Sequence, residues 1–248
     1  MANASRREKL RAAQEAQQKR RRTRIIAAVG VMVGAAVAIA IMLWSTLGGA
    51  PGQQSANRPP NATAAGDGIV VNPGKASAGA PRVNLYLDYR CSHCVTFEEK
   101  YGLTLDSMAD EGTIELVANT KVFLDKGDDN GLSHKAAMAA ACADVAGVYN
   151  DYSQGIFSAA YNGEYTDNLF RVELPERTGI TGDTLTQFQA CYDNKSMLGW
   201  VNGVEEASSK AGVNATPTMM VNGKTIDLAT LPDDVSKLPE YIADAASS

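Results

Sequence analysis

The sequence predicts an α/β fold that carries a helical insertion and is preceded by one N-terminal transmembrane helix. Three observations predict it. Ile25 to Trp44 is a run of 20 residues without a charge. Val83-Asn84-Leu85-Tyr86-Leu87 alternates as a strand does, and it leads into a helical face of Phe97, Tyr101, Leu105 and Met108. Between that unit and a second short strand near the C-terminus lies a helix-favouring stretch, about residues 132–200.

The N-terminal elements follow from charge and length. Met1 to Arg24 holds nine Lys/Arg against Glu8 and Glu15, a charge of +7, while the remainder carries 14 basic and 26 acidic residues. A basic tail on an acidic body argues against nucleic-acid binding and for a tail facing anionic lipid. At 1.5 Å per residue the uncharged run spans about 30 Å, one bilayer's hydrocarbon thickness. Trp44 falls at an interfacial position, and the Lys/Arg cluster places the N-terminus in the cytoplasm. The competing reading is a cleaved signal peptide with Gly48-Gly49-Ala50 at its cleavage site, although such peptides have a shorter apolar core. The expected layout is a cytoplasmic tail (1–24), an anchor (25–47), a flexible Gly/Pro/Ser/Asn-rich linker (48–65) and one outer domain (66–248). The chain is thus expected at the cell membrane as a single-pass protein, its main domain outside. With 45% apolar and 21% charged residues it is not a disordered, collagen-like or cysteine-dense chain.

All four cysteines, Cys91, Cys94, Cys142 and Cys191, lie in the outer domain, where no glutathione pool keeps them reduced. A four-cysteine zinc site normally presents two close pairs, whereas Cys142 and Cys191 stand 49 residues apart, so no metal is expected. Cys91-Ser92-His93-Cys94 falls at the strand-to-helix junction with Cys91 at the helix N-terminus. Unpaired N–H groups and the helix dipole there favour a thiolate, and His93 adds a hydrogen bond or a positive charge. Cys91 is therefore the candidate nucleophile and leaving group, and Cys94, one turn along, the resolving thiol. A stabilised thiolate makes the oxidised form a strong oxidant. By spacing alone, the pair also fits a structural disulfide or half a metal site.

A second motif lies about 125 residues on: Ala215-Thr216-Pro217-Thr218, followed by the apolar strand Met219-Met220-Val221 and an Asn222-Gly223 hairpin turn. Pro at the start of a strand removes a ladder donor and needs a reason. Together, Tyr89-Arg90-Cys91-Ser92-His93-Cys94-Val95-Thr96-Phe97-Glu98-Glu99 and this Thr-Pro step resemble the active-site stretch and cis-proline loop of DsbA-family thiol:disulfide oxidoreductases, over roughly Gly68 to Ala246. The order of elements is similar to that family's thioredoxin-like fold with its helical insertion. The resemblance implies a cis Thr216–Pro217 bond against the Cys91–Cys94 pair, with the Thr216 backbone able to pair an extended substrate segment. Three departures stand out. Ser92 replaces the usual Pro, which bears on the helix start and the redox potential. Thr216 is more similar to the residue before cis-Pro in the isomerase, DsbC-like branch. The glutamate that some members place six residues before the first Cys is Leu85 here. Asp88 is then the nearest acid, either a proton shuttle for Cys94 or a turn carboxylate bonded to local backbone.

In the insertion, helices are expected over Lys135–Gly147, from Val148 through Tyr152 and Ile156, at Leu185, Phe188 and Tyr192, and at Val201, Val204, Ala207 and Ala211, the last ended by Gly212. These are core faces, and no cofactor is assigned to them. Cys142 and Cys191 lie on two of the helices and are expected to form a second, structural disulfide; two buried free thiols are the alternative. His134 is expected to face solvent near a helix start, and Glu98, Glu99, Asp128 and Asp129 to form a solvated surface. No phosphate-binding loop, Gly-x-Ser-x-Gly elbow or His-Glu-x-x-His helix occurs.

The function read from these features is that of an extracytoplasmic thiol:disulfide oxidoreductase, an oxidase for exported proteins. The resemblance implies reduced exported polypeptides as substrates and a membrane quinone-linked reoxidase of the DsbB or vitamin K epoxide reductase type as partner. A monomer is expected. The same fold could serve as an isomerase or reductase, or as a non-catalytic binding module stapled by its Cys-x-x-Cys pair.

Overall fold

Val83, Leu85, Tyr86 and Leu87 are all buried, so the strand that holds them is covered on both faces and needs a neighbour on each side. In the computed structural model, which describes residues 57–247, that strand is β2 (Arg82–Leu87). It runs parallel to β3 (Glu115–Thr120) and antiparallel to β4 (Thr218–Val221), with Leu85 opposite both Ala118 and Met219. The short strands β1 (Ile69–Val70) and β5 (Lys224–Ile226) close the edges, giving the order β1-β3-β2-β4-β5. Asn222 and Gly223 turn β4 into β5 with φ of 49° and 81°, the left-handed pair that a two-residue hairpin needs.

A parallel neighbour requires a crossover. It is made by one helical run: α1 (Ser92–Phe97), a π-helical turn (Glu98–Gly102) and α2 (Leu103–Asp110). Phe97, Tyr101, Leu105 and Met108 are buried along it, as their spacing predicts. The insertion comprises α3 (Leu132–Val145), α4 (Tyr149–Tyr161), a π-helical turn (Leu169–Glu173) continued by α5 (Leu174–Arg177), and α6 (Gly182–Asp193). Helix α7 (Leu198–Lys210) then leads back to the sheet, and α8 (Leu238–Ser247) packs on β4 through buried Leu238 and Ile242. The alanines of α3 make it apolar on nearly every face, and their small side chains let α4, α6 and α7 all pack against it.

Two features differ from the sequence reading. Helix α3 starts at Leu132, before Lys135, because the Asp125 carboxylate accepts the His134 N–H at 2.8 Å and caps the first turn from another element. The segment Asn57–Ala65 was expected to belong to the flexible linker on composition. Instead Asn61 donates its backbone N–H (2.9 Å) and its Nδ2 (2.8 Å) to Asp144 of α3, and its carbonyl accepts from Val70 at 2.9 Å. A buried carboxylate must find donors, and composition is silent about a partner 83 residues away. The basic tail (1–24), the anchor (25–47) and the rest of the linker (48–56) lie outside the described residues. Among the described residues no helix is long and apolar enough to cross a membrane.

Asn61→Ala removes one of these bonds and leaves a buried carboxylate oxygen unpaired. It is expected to lower the unfolding free energy by about 1–3 kcal/mol, read from the urea midpoint; an unchanged midpoint would mean that the segment is not held.

Candidate active site

The end of β2 delivers Asp88, Tyr89 and Arg90 to the start of α1, and each is fixed by a different element. Asp88 is fully buried. Its Oδ1 accepts from the Arg90 N–H (2.9 Å) and Ser133 Oγ of α3 (2.8 Å), and its Oδ2 from the Leu124 N–H (3.4 Å). Burial holds this carboxyl above the usual carboxylate range, with those three bonds pulling the other way. Tyr89 packs its ring against Phe157 of α4 at a tilt of 43° and hydrogen-bonds Ser153 at 2.8 Å. Arg90 pairs with Asp125 at 2.7 Å.

Cys91 occupies the N-cap position of α1 with extended backbone (φ −77°, ψ 116°), its N–H donating to the Asp88 carbonyl at 2.9 Å. Both active-site cysteines are free thiols. Cys91 is half-buried, and its Sγ donates to the Thr216 carbonyl at 3.4 Å. The Thr216–Pro217 bond is cis, and both residues are half-buried. Ser92 and His93 are exposed on the rim. Cys94 is buried, and burial pushes its thiol far up, against weaker opposing contributions from the Thr216 side chain and the Asp88 backbone. The arrangement therefore offers one sulfur to an incoming thiol and withholds the other. Cys142 and Cys191 are joined in a disulfide between α3 and α6.

Asp88 makes the local backbone bond of a turn carboxylate, to Arg90, together with bonds from the Leu124 N–H and from Ser133. No hydrogen bond joins its carboxyl to either sulfur among the described residues. His134, expected to face solvent, is 3% exposed. Its ring nitrogens face Asp125 Oδ2 (2.9 Å) and Asn202 Oδ1 of α7 (3.1 Å). Burial would raise Asp125, yet the bonds from His134, Ser133 and Arg90 win and hold it below the usual range. This chain, Arg90–Asp125–His134–Asn202, ties the cysteine loop to the helix that leads into the Thr216–Pro217 loop. Glu205 of α7 adds a second tie, accepting from Lys121 Nζ and the Val122 N–H, each at 2.8 Å. Among the acids read as solvated surface, Glu99 and Asp128 are exposed, while Asp129 accepts from Asn202 at 3.3 Å.

Glu98 is the residue that the sequence reading missed. It lies one turn beyond Cys94 on a helix whose neighbouring Phe97 and Tyr101 are buried, and that i, i+4 spacing was the available signal. The residue as a whole is half-buried, but its carboxyl turns in toward the helix, and desolvation, with a smaller contribution from Asp106, pushes it up to about 8. Among the described residues no cluster of three or more His, Cys, Asp or Glu is placed to hold a metal ion.

A model of the thioredoxin family matches residues 73–240. No curated protein sequence matches the chain significantly. Among solved structures, the chain is similar to the MdbA protein of Actinomyces oris, a thiol-disulfide oxidoreductase, at 20% identity and a TM-score of 0.63, over 78% of this chain and 96% of that one. The MdbA protein of Corynebacterium diphtheriae matches at 19% identity and a TM-score of 0.61, over 76% and 94% of the two chains. The reduced DsbA of Mycobacterium tuberculosis matches at 24% identity and a TM-score of 0.55, over 73% and 98%. At these identities the likeness establishes the fold.

The raised carboxyl of Glu98 has a sign that can be checked. The folded state keeps its proton while the unfolded chain has lost it, so the ionisation opposes folding increasingly as pH rises from about 4.5 to about 8. Glu98→Gln is therefore expected to gain in urea midpoint over the parent at pH 8 relative to pH 5. A gap that is the same at both pH values would contradict the desolvation of this carboxyl.

Proposed function

The chain belongs to the thioredoxin family, and we propose that it is a thiol:disulfide oxidoreductase of the DsbA type, an oxidase that introduces disulfides into exported proteins. The observation that carries this reading is the asymmetry of the pair: Cys91 Sγ at 3.4 Å from the Thr216 carbonyl, half-buried at a helix N-cap, with Cys94 buried behind it.

In the oxidised enzyme a substrate thiolate attacks Cys91 Sγ. The Cys91–Cys94 bond breaks and the electron pair goes to Cys94, which takes up through solvent one of the two protons released by the substrate thiols, because burial disfavours its thiolate. The mixed disulfide leaves the substrate segment beside the Thr216 backbone, where an extended chain can add as a strand. A second substrate thiolate then attacks the substrate sulfur, and Cys91 departs as a thiolate at the N-terminus of the helical run, where unpaired N–H groups favour negative charge. The substrate has lost two electrons and the enzyme pair has gained them. Ser92 and His93, exposed beside Cys91, border the sulfur's approach, and the Thr216 carbonyl that precedes Pro217 lies against it.

Reoxidation requires an acceptor for two electrons. A membrane quinone-linked partner of the DsbB or vitamin K epoxide reductase type fits a domain held outside the cytoplasm by the apolar run at 25–47. The protein works as a monomer in this reading, without metal or organic cofactor.

Trapping tests it. Cys94→Ala removes the resolving thiol, so mixed disulfides with reduced polypeptides should accumulate and disappear on adding dithiothreitol, while Cys91→Ala should form none. Adducts on neither variant would reduce the pair to a structural staple. Scrambled substrate rearranged with no net oxidation would favour an isomerase.

A further inference from the structure

Beside the active-site helix runs a groove that the reaction does not use. It is a cavity of about 210 Å³ between the helical run, which contributes Val95, Glu98, Gly102 and Leu103, and α4, which contributes Phe157 and Tyr161. Its first residue adjoins Cys94. Leu103 and Tyr161, at its edges, are 74% and 63% exposed, large apolar surfaces that the domain leaves uncovered.

Its floor is acidic and uncompensated. The Glu98 carboxyl occupies space left open by Gly102, where a Cβ would stand 2.4 Å from Glu98 Oε2. Among the described residues no hydrogen bond or ion pair reaches that carboxyl. The groups facing it are Asp106 and Glu99 on its own run, Asn150, Gln154 and Tyr161 on α4, and Tyr89 behind; none is a cation. Asp106 is bonded by Gln154, so the amide of that residue is already engaged. Lys100, the nearest cation in sequence, turns away to Asp233 at 2.7 Å. An apolar trough ending on an unpaired acid is complementary to a long side chain with an apolar stem and a cationic head. Phe157 and Tyr161 add aromatic faces that suit such a head.

We infer that this groove docks the substrate polypeptide by taking a Lys or Arg side chain, its stem on Leu103, Phe157 and Tyr161 and its head paired with Glu98. The inference rests on the oxidoreductase reading, since it places the substrate's basic residue one helical turn from the reacting sulfurs. The pair needs an ionised Glu98. Because burial pushes that carboxyl up to about 8, the preference for a cation is weak at pH 6 and full at pH 9.

The test uses the full chain and two capped, cysteine-free peptides that are identical except for one arginine or one citrulline, which has nearly the same shape without the charge. At pH 9 the arginine peptide is expected to bind about fivefold tighter, a ratio falling to about one at pH 6. Glu98→Gln, which keeps the shape of the protonated acid, should bring the ratio to about one at both pH values. Leu103→Ala combined with Tyr161→Ala should weaken both peptides. Equal binding at pH 9, a preference that survives Glu98→Gln, or no loss in the double variant would each overturn the inference. Oxidation of a dithiol peptide by the same preparation separates the two readings. Oxidation without arginine preference sinks the docking site alone, whereas no oxidation sinks the enzymatic reading on which it rests.

Discussion

The carboxylate of Asp88 is the point on which the active site hangs. It sits at the end of the central strand, fully buried, and binds the start of α3 through Ser133, the turn after β3 through Leu124 and its own loop through Arg90. The carbonyl of the same residue receives the Cys91 N–H. Two segments distant in sequence, at Leu124 and Ser133, are thus fastened together with the local loop to the residue from which the helix of the cysteines departs. An unpaired buried carboxylate would be costly, so this interaction constrains everything around it to one arrangement.

From that anchor the site is held on two sides. Arg90, Asp125 and His134 carry the constraint to Asn202, and Lys121 carries it to Glu205, both on the helix that precedes the Thr216–Pro217 loop. The cysteine loop and the proline loop are brought within contact by side chains of the intervening segments, and the helical insertion contributes Ser133 and His134 to that frame. The insertion is therefore part of how the site is positioned. The same frame sets the unequal environments of the two sulfurs, one at the helix end and the other behind it.

Much of this could be read from the sequence, for physical reasons that differ by element. The helix after Cys91 was legible because Phe97, Tyr101, Leu105 and Met108 keep helical spacing on a one-sided face; the α4, α6 and α7 stripes were legible likewise, and α3 through its alanine-rich helix propensity. Strand β3 was not: buried Asn119 and Thr120 break its apolar pattern, and Asn119 is satisfied by Asn84 and the Asp67 carbonyl, partners that no local pattern announces. Helix α8 begins at Leu238-Pro239 after two short turns capped by Asp227 and Asp234, and its apolar face is brief. At the site, the motif residues could be named, whereas the environments of Asp88, His134 and Glu98 could not. Each depends on groups from other elements or on a crowding of the helix surface that one-dimensional spacing only hints at.

The central claim is that the Cys91–Cys94 pair accepts electrons from substrate thiols, with the helix end stabilising the charge left on Cys91. The most direct measurement is the reduction potential of that pair in the full chain, equilibrated against glutathione buffers. A value of about −120 mV, the range of a strong dithiol oxidant, is what this account predicts. A value of about −270 mV, the range of a thioredoxin that reduces its substrates, would contradict it.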